Sequence, residues 1–145
     1  MNKLDSASCS FIFFLLIILI LMSGASLSSQ SRSAASSPPG EVLVTNNLDL
    51  DFSKHQVTFI ELGADRCIPC KAMQPIMKEI AKEYAGKIQV VFYDVWKDSA
   101  PARKYGIQLI PTQVFIDGNG KEIFRHVGLF PKDEILKMLK EKGLL

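Results

Sequence analysis

Two cysteines separated by two residues lie between a predicted strand and a predicted helix, and this junction limits the folds open to the chain. The cysteines are Cys67 and Cys70. The apolar run 56–62 predicts a buried strand, and residues 67–84 carry apolar side chains at three- and four-residue spacings, which indicates one face of a helix. A helix N-terminus favours an anion such as a thiolate. The pair is therefore predicted to be a redox site or half of a metal site.

Strands and helices alternate along the rest of the chain. The predicted strands are 42–45, 56–62, 87–94, 112–116 and 122–127, and the predicted helices are 67–84, 100–105 and 130–142. Crossover connections separate the first three strands, whereas Asp117-Gly118-Asn119-Gly120 favours a tight hairpin between the last two. This order predicts an α/β fold, with a central mixed β-sheet flanked by helices.

The first 40 residues differ from the rest in composition and are predicted to lie outside this domain. Residues 1–27 contain an unbroken apolar run, Phe11 to Met22, and small residues follow it. A signal peptide and an uncleaved N-terminal membrane anchor both fit this pattern, and both export the domain. Residues 28–40 are rich in Ser, Ala and Pro and predict a disordered linker. The folded domain is predicted to span 41–145.

Charge excludes some functions. The formal net charge is +2, and the 17 basic and 15 acidic residues are mixed along the chain. Nucleic-acid binding and polybasic attachment to a membrane are therefore not expected.

Several motifs in sequence order resemble those of the thioredoxin family. Residues 63–75, GADRCIPCKAMQP, resemble the active-site segment of that family, and residues 104–112, KYGIQLIPT, resemble the segment that ends in its cis-proline. The DGNG turn and Val127-Gly128 fit its closing hairpin. The resemblance implies the thioredoxin fold over 41–145 and thiol-disulfide exchange.

Roles for individual residues follow from the placement of the cysteines and from this resemblance. Cys67 is expected to be the more exposed thiol and to attack a substrate disulfide, and Cys70 is expected to resolve the mixed disulfide. Pro111 is expected to be cis and to lie beside the pair, leaving the backbone of Ile110 free to bind an extended substrate. Glu61 occupies the place of the buried acid of thioredoxins, usually Asp, and is expected to relay a proton. An exposed Glu61 on a sheet edge is the alternative.

The residues around the cysteines depart from the common thioredoxin pattern. Arg66 replaces the usual Trp, and Ile68-Pro69 replaces the usual Gly-Pro. Arg66 either stabilises the thiolate or is a solvated charge paired with Asp65, and we favour the pairing. Together with Ile110 and Pro111, Arg66, Ile68 and Pro69 are the candidate substrate-binding residues. Trp96 is expected to pack near the site.

The sequence predicts an exported thiol-disulfide oxidoreductase that acts on protein thiols and disulfides. We favour a reductase over an oxidase or isomerase, because the domain has no room for the inserted helical region of dedicated disulfide oxidases. Such a reductase needs a membrane partner as electron donor, and a monomer without cofactor is expected. A non-catalytic binding module and a metal carrier remain alternatives. However, neither His55 nor His126 has the spacing of a metal ligand, so no metal site is predicted.

Overall fold

A computed structural model describes residue 35 and residues 37–145 of the chain. Its strands and helices, with one 3₁₀ turn at Phe52–Lys54, are β1 (Val42–Val44), β2 (Val57–Gly63), α1 (Ile68–Glu83), β3 (Ile88–Asp94), α2 (Ala100–Lys104), β4 (Thr112–Asp117), β5 (Glu122–Val127) and α3 (Lys132–Glu141). Each predicted element is present, with both ends within two residues of the predicted ones.

The predicted signal or anchor segment, residues 1–27, lies outside the described residues, as does most of the predicted linker. Within the described part of the chain, none of the helices combines the length and the apolar character needed to cross a bilayer.

The sheet is mixed, as predicted, and its strand order is β1-β3-β2-β4-β5. The pairs β1/β3 and β2/β3 are parallel, whereas β2/β4 and β4/β5 are antiparallel. The middle strand β2 is buried along its whole length. This matches its nearly continuous apolar sequence, because a strand covered on both faces needs apolar side chains on both.

Alternation along β2 divides the core into two layers. Val57 and Phe59 pack with buried residues of α1 and α3 on one face of the sheet, and Ile60 and Leu62 pack on the other face. Successive side chains of a strand point to opposite faces. Glu61 therefore shares the α1 face of the sheet with Val57 and Phe59, and Gly63 at the end of β2 does so too.

The hairpin between β4 and β5 has the predicted turn. The Asp117 carboxylate accepts the backbone N–H groups of Asn119 and Lys121, both at 2.9 Å. Gly120 has φ of +80°, a region that glycine enters without steric cost. The turn therefore closes β5 onto β4 and places the C-terminal end of β5 beside the start of β4.

Candidate active site

The two cysteines form a disulfide at the start of α1, with their Cα atoms 5.2 Å apart. Cys67 is the N-cap of the helix, and its Sγ lies 3.3 Å from the backbone nitrogen of Cys70, which donates to it. Cys67 is 8% exposed and Cys70 only 1%. The sulfur nearer to solvent is thus also the one at the helix N-terminus, where negative charge is favoured.

Close packing between Gly63 and Cys70 brings the helix against the end of β2. A Cβ atom at Gly63 would lie 3.2 Å from both Cβ and Sγ of Cys70 and 3.1 Å from the ring of Phe92. These distances are shorter than nearly all real Cβ contacts, so a side chain at this position would force its neighbours to move. The absence of a side chain at Gly63 therefore makes room for the buried sulfur.

The loop before β4 borders the disulfide. The Ile110–Pro111 peptide bond is cis, as the resemblance implied. Ile110 packs against the buried cluster of Ala64, Cys67 and Cys70. Within the described residues, neither the N–H nor the C=O of Ile110 makes a hydrogen bond. The loop therefore offers an unpaired backbone donor and acceptor next to the disulfide.

Glu61 is fully buried, so the alternative of an exposed Glu61 on a sheet edge is wrong. Its Oε2 accepts a hydrogen bond from Nε2 of Gln113 at 2.9 Å, and its Oε1 has no partner among the described residues. Burial raises the pKa of Glu61 to about 8, because the charged form loses its hydration, and the Gln113 amide opposes this rise. Glu61 is therefore largely protonated at neutral pH.

Glu61 and Cys70 lie on the same side of the sheet. Glu61 precedes Gly63 by two residues, and Cys70 packs directly over Gly63. Side chains two residues apart on a strand are separated by roughly 7 Å. The side chain of Glu61 is thus about one strand repeat from the glycine that Cys70 packs over, on the same face of the sheet.

An ion pair holds the loop before Cys67, and its partners differ from those that the sequence analysis favoured. Asp65 pairs with Lys97, not with Arg66, so the predicted Asp65–Arg66 pair is wrong. Asp94 explains why: its carboxylate accepts the N–H groups of Asp65, Trp96 and Lys97 at 3.0–3.3 Å, which brings the two loops together. Arg66 is exposed and takes part in no ion pair within the described residues.

The candidate substrate-binding residues between and beside the cysteines lie at the surface. Ile68 is 82% exposed, and Pro69 and Arg66 are exposed as well. Trp96 is also largely exposed, and it lines a depression near the site together with Arg66 and Lys97. Arg66, Ile68 and Pro69 are therefore accessible around Cys67, although their part in binding stays a prediction.

The histidines lie in other environments. The ring of His126 stacks on Phe130, with centroids 4.2 Å apart, and its Nε2 lies 3.2 Å from the carbonyl oxygen of Leu129. Desolvation lowers the pKa of His55. Across residues 37–145, no three His, Cys, Asp or Glu side chains come together in a way that would hold a metal ion.

Two polar residues of the site were missed by sequence reasoning. Gln113 lies in the first half of β4 and is fully buried, and Asp94 ends β3 with 5% exposure. The available signal for Gln113 was a single polar side chain in the otherwise apolar run 113–116. Its pairing with Glu61 depends on the register between β2 and β4, which the sequence did not predict.

A disulfide at a helix N-terminus, next to a loop in which the backbone of Ile110 makes no hydrogen bond among the described residues, is suited to exchange with other thiols. The class of protein that this fold and pair define is a thiol-disulfide oxidoreductase. The thioredoxin family model matches residues 41–141. The chain belongs to the thioredoxin family.

Individual relatives agree with this assignment. A thioredoxin from Haemophilus influenzae is 32% identical over 106 residues, which cover 70% of this chain and 96% of that one. Thioredoxin 2 from Chlorobaculum tepidum is 36% identical over 86 residues, 59% of this chain and 78% of the relative. Among solved structures, a mutant thioredoxin from Halobacterium salinarum has a TM-score of 0.63 and 26% identity, covering 74% of this chain and 95% of its own.

Proposed function

We propose that this chain reduces disulfide bonds of extracytoplasmic proteins through its Cys67/Cys70 couple. The observation that carries the proposal is the position of Cys67: its Sγ accepts a backbone N–H at the start of α1, and Ile110, whose backbone makes no hydrogen bond among the described residues, packs against the cluster that contains Cys67. The first contact favours a thiolate nucleophile. The second offers a short stretch of backbone to which an extended substrate segment can add as a strand.

The first step is attack by the Cys67 thiolate on one sulfur of the substrate disulfide. A bond forms between Cys67 and that sulfur, the substrate S–S bond breaks, and the other substrate sulfur leaves as a thiolate that takes a proton from solvent. Ile110 aligns the substrate backbone, and the exposed Arg66, Ile68 and Pro69 contact the residues around the substrate cysteine.

The second step releases the substrate. The ionised form of Glu61, a minority at neutral pH, takes the thiol proton of Cys70. The resulting thiolate attacks Sγ of Cys67, so the mixed disulfide breaks, the substrate sulfur leaves as a thiolate, and the Cys67–Cys70 disulfide forms. Two electrons have then passed from the dithiol to the substrate. A free thiol has a pKa of about 8.5, and the pKa of Glu61 is raised to about 8. Proton transfer between groups so closely matched costs little free energy.

The direction and compartment of the reaction are supported by the arrangement of the chain. The apolar run 11–22 favours export, and disulfides persist outside the cytoplasm. Between β2 and β4 the described chain contains only α1, β3 and α2, without an inserted helical region. A membrane partner that donates electrons would regenerate the dithiol, and the protein would act as a monomer.

Reduction of insulin disulfides by the full chain, with dithiothreitol as electron donor, tests the proposal. Cys67→Ser is expected to abolish the activity, and Cys70→Ser is expected to trap a mixed disulfide with the substrate. Cys9→Ser is the matched control and is expected to retain full activity, because Cys9 lies ahead of the apolar run, outside the predicted domain.

Three outcomes would contradict the proposal. Full biological activity of Cys67→Ser would favour a non-catalytic binding module. Stoichiometric zinc or copper in the purified reduced protein would favour a metal carrier. A strongly oxidising equilibrium potential of the Cys67/Cys70 couple against glutathione would favour an oxidase.

A further inference from the structure

We propose that Gln113 is a positioning residue for Glu61: its side-chain amide holds one carboxyl oxygen and leaves the other as the atom that exchanges a proton with Cys70. This inference rests on the proposed function, because it refines the second step of the exchange.

The contacts of Gln113 determine how its amide is oriented. Gln113 is the register partner of Glu61 across β2 and β4, and both side chains are fully buried. The Nε2 atom lies 2.9 Å from Oε2 of Glu61 and 3.0 Å from the carbonyl oxygen of Gly128. A carbonyl oxygen can only accept, so the group between these two oxygens must be the NH₂. Both of its N–H bonds are then used.

This orientation decides which carboxyl oxygen carries the proton. Oε2 accepts an N–H, and in a neutral carboxyl group the carbonyl oxygen is a better acceptor than the hydroxyl oxygen. The proton of the neutral acid therefore belongs on Oε1, which has no hydrogen-bond partner among the described residues. An atom that exchanges protons must not be occupied by another hydrogen bond. The Gln113 contact occupies Oε2, so only Oε1 can exchange a proton.

The second contact of Gln113 links Glu61 to the cis-proline loop. The N–H of Gly128 donates to the carbonyl oxygen of Pro111 at 2.8 Å, while the C=O of Gly128 accepts from Gln113. Gly128 has φ of +99°, in the region that favours glycine. Gly128 thus binds the Gln113 amide through its C=O and the Pro111 carbonyl through its N–H. It therefore connects the amide to the loop that carries Ile110.

No other polar group in the described chain contacts the Glu61 carboxyl. Its neighbour on β3 is the apolar Phe92. The charged side chains of α1 are exposed and those of α3 are exposed or half-buried. Three titratable groups lie near Glu61 on this face of the sheet: Asp94 is the register partner of Gly63, His126 is the register partner of Gln113, and Cys70 packs over Gly63. Cys67 lies beside Cys70, and Tyr84 packs against the same core as Phe59. Gln113 is therefore the residue through which Glu61 is held.

The substitution Gln113→Leu tests the role by removing the amide while keeping a similar volume. The matched control is Gln89→Leu, because Gln89 is also buried but lies on β3 as the register partner of Thr58, on the opposite face of the sheet. The readout is the pKa of Glu61, measured by carbon NMR of its carboxyl group in the oxidised full chain, where the cysteines do not titrate.

In Gln113→Leu the pKa of Glu61 is expected to rise by about one unit, because a hydrogen bond to the charged form is lost. The upper limb of the pH profile for insulin reduction is expected to move with it, whereas Gln89→Leu leaves the pKa unchanged. A folded Gln113→Leu protein with an unchanged Glu61 pKa would overturn the proposal, as would an equal rise in Gln89→Leu.

A second measurement needs no variant and holds even if Gln113→Leu does not fold. In the unmodified protein, the side-chain NH₂ resonances of Gln113 are expected to titrate with the same midpoint as the Glu61 carboxyl. Resonances that do not respond would overturn the proposal. Neither NMR readout depends on turnover. If the Gln113 resonances titrate with Glu61 but the protein does not reduce insulin, only the proposed function is refuted. If the protein reduces insulin but the Gln113 resonances do not respond, only the role of Gln113 is refuted.

Discussion

Replacing Glu61 with glutamine is expected to remove most of the dependence of folding stability on pH between about 4.5 and 8. The pKa of this carboxyl is raised from 4.5 to about 8 by burial in the folded protein. Between these values the folded state keeps a proton that the unfolded state has released, so raising the pH favours unfolding. The stabilisation from this group is thus complete below pH 4.5 and is lost as the pH rises through about 8.

The size of the effect follows from the difference between the two pKa values. Each unit is worth about 1.4 kcal/mol, so the unmodified protein loses up to about 5 kcal/mol between pH 4.5 and 8. A small domain has roughly 5–15 kcal/mol of stability in total. Glutamine keeps the size of the side chain and its acceptor oxygen for Gln113 but cannot ionise. Glu61→Gln is therefore expected to be several kcal/mol more stable at high pH and similar to the unmodified protein at low pH.

Urea unfolding of the oxidised proteins, followed by circular dichroism from about pH 5 to about pH 9, measures this difference. Subtracting the two curves cancels the contributions of the other titrating groups, provided that they are independent of Glu61. Glu41→Gln, the same change at an exposed carboxylate, is the matched control and is expected to give curves parallel to those of the unmodified protein. A stability difference for Glu61→Gln that does not vary with pH would refute the reasoning.

Two further substitutions test the packing around the disulfide. Gly63→Ala places a Cβ atom 3.2 Å from Cys70 and 3.1 Å from Phe92. It is expected to lower the free energy of unfolding by about 1–3 kcal/mol, because the neighbours must move to make room. Unchanged urea unfolding would contradict this. Asp94→Ala removes the acceptor of three backbone N–H groups, including that of Asp65. It is expected to lower the free energy of unfolding by about 1–3 kcal/mol and to speed amide exchange in the loop before Cys67. Unaltered exchange in that loop would contradict the prediction.

Local chemistry made much of the fold predictable from the sequence. The apolar run of β2, the helical spacing after Cys67 and the DGNG turn each depend on residues close together in the chain, and the structure confirms all three. The motif at Pro111 predicted the cis bond by resemblance. The position of the redox pair was predictable for the same reason. The pair lies in the short segment where β2 ends and α1 begins, so these two elements fix its place in the fold.

The partners of polar side chains were not predictable in this way. The sequence favoured Arg66 as the partner of Asp65, because the two are adjacent, but Lys97 occupies that place. Trp96 was expected to pack near the site, and it lies beside Arg66 with 63% of its surface exposed. Both outcomes depend on how the loop after β3 meets the loop after β2, and the local pattern of neither loop contains that information.

The sequence by itself determined that this chain carries an exchangeable pair of thiols on a mixed α/β sheet, because periodicity and turn chemistry act over a few residues. The tertiary structure alone decided what surrounds the pair. Glu61 and Gln113 are 52 residues apart and meet only through the register of β2 and β4. A slip of one residue would turn Gln113 to the opposite face of the sheet. The environment of the buried acid therefore depends on strand pairing across the whole domain.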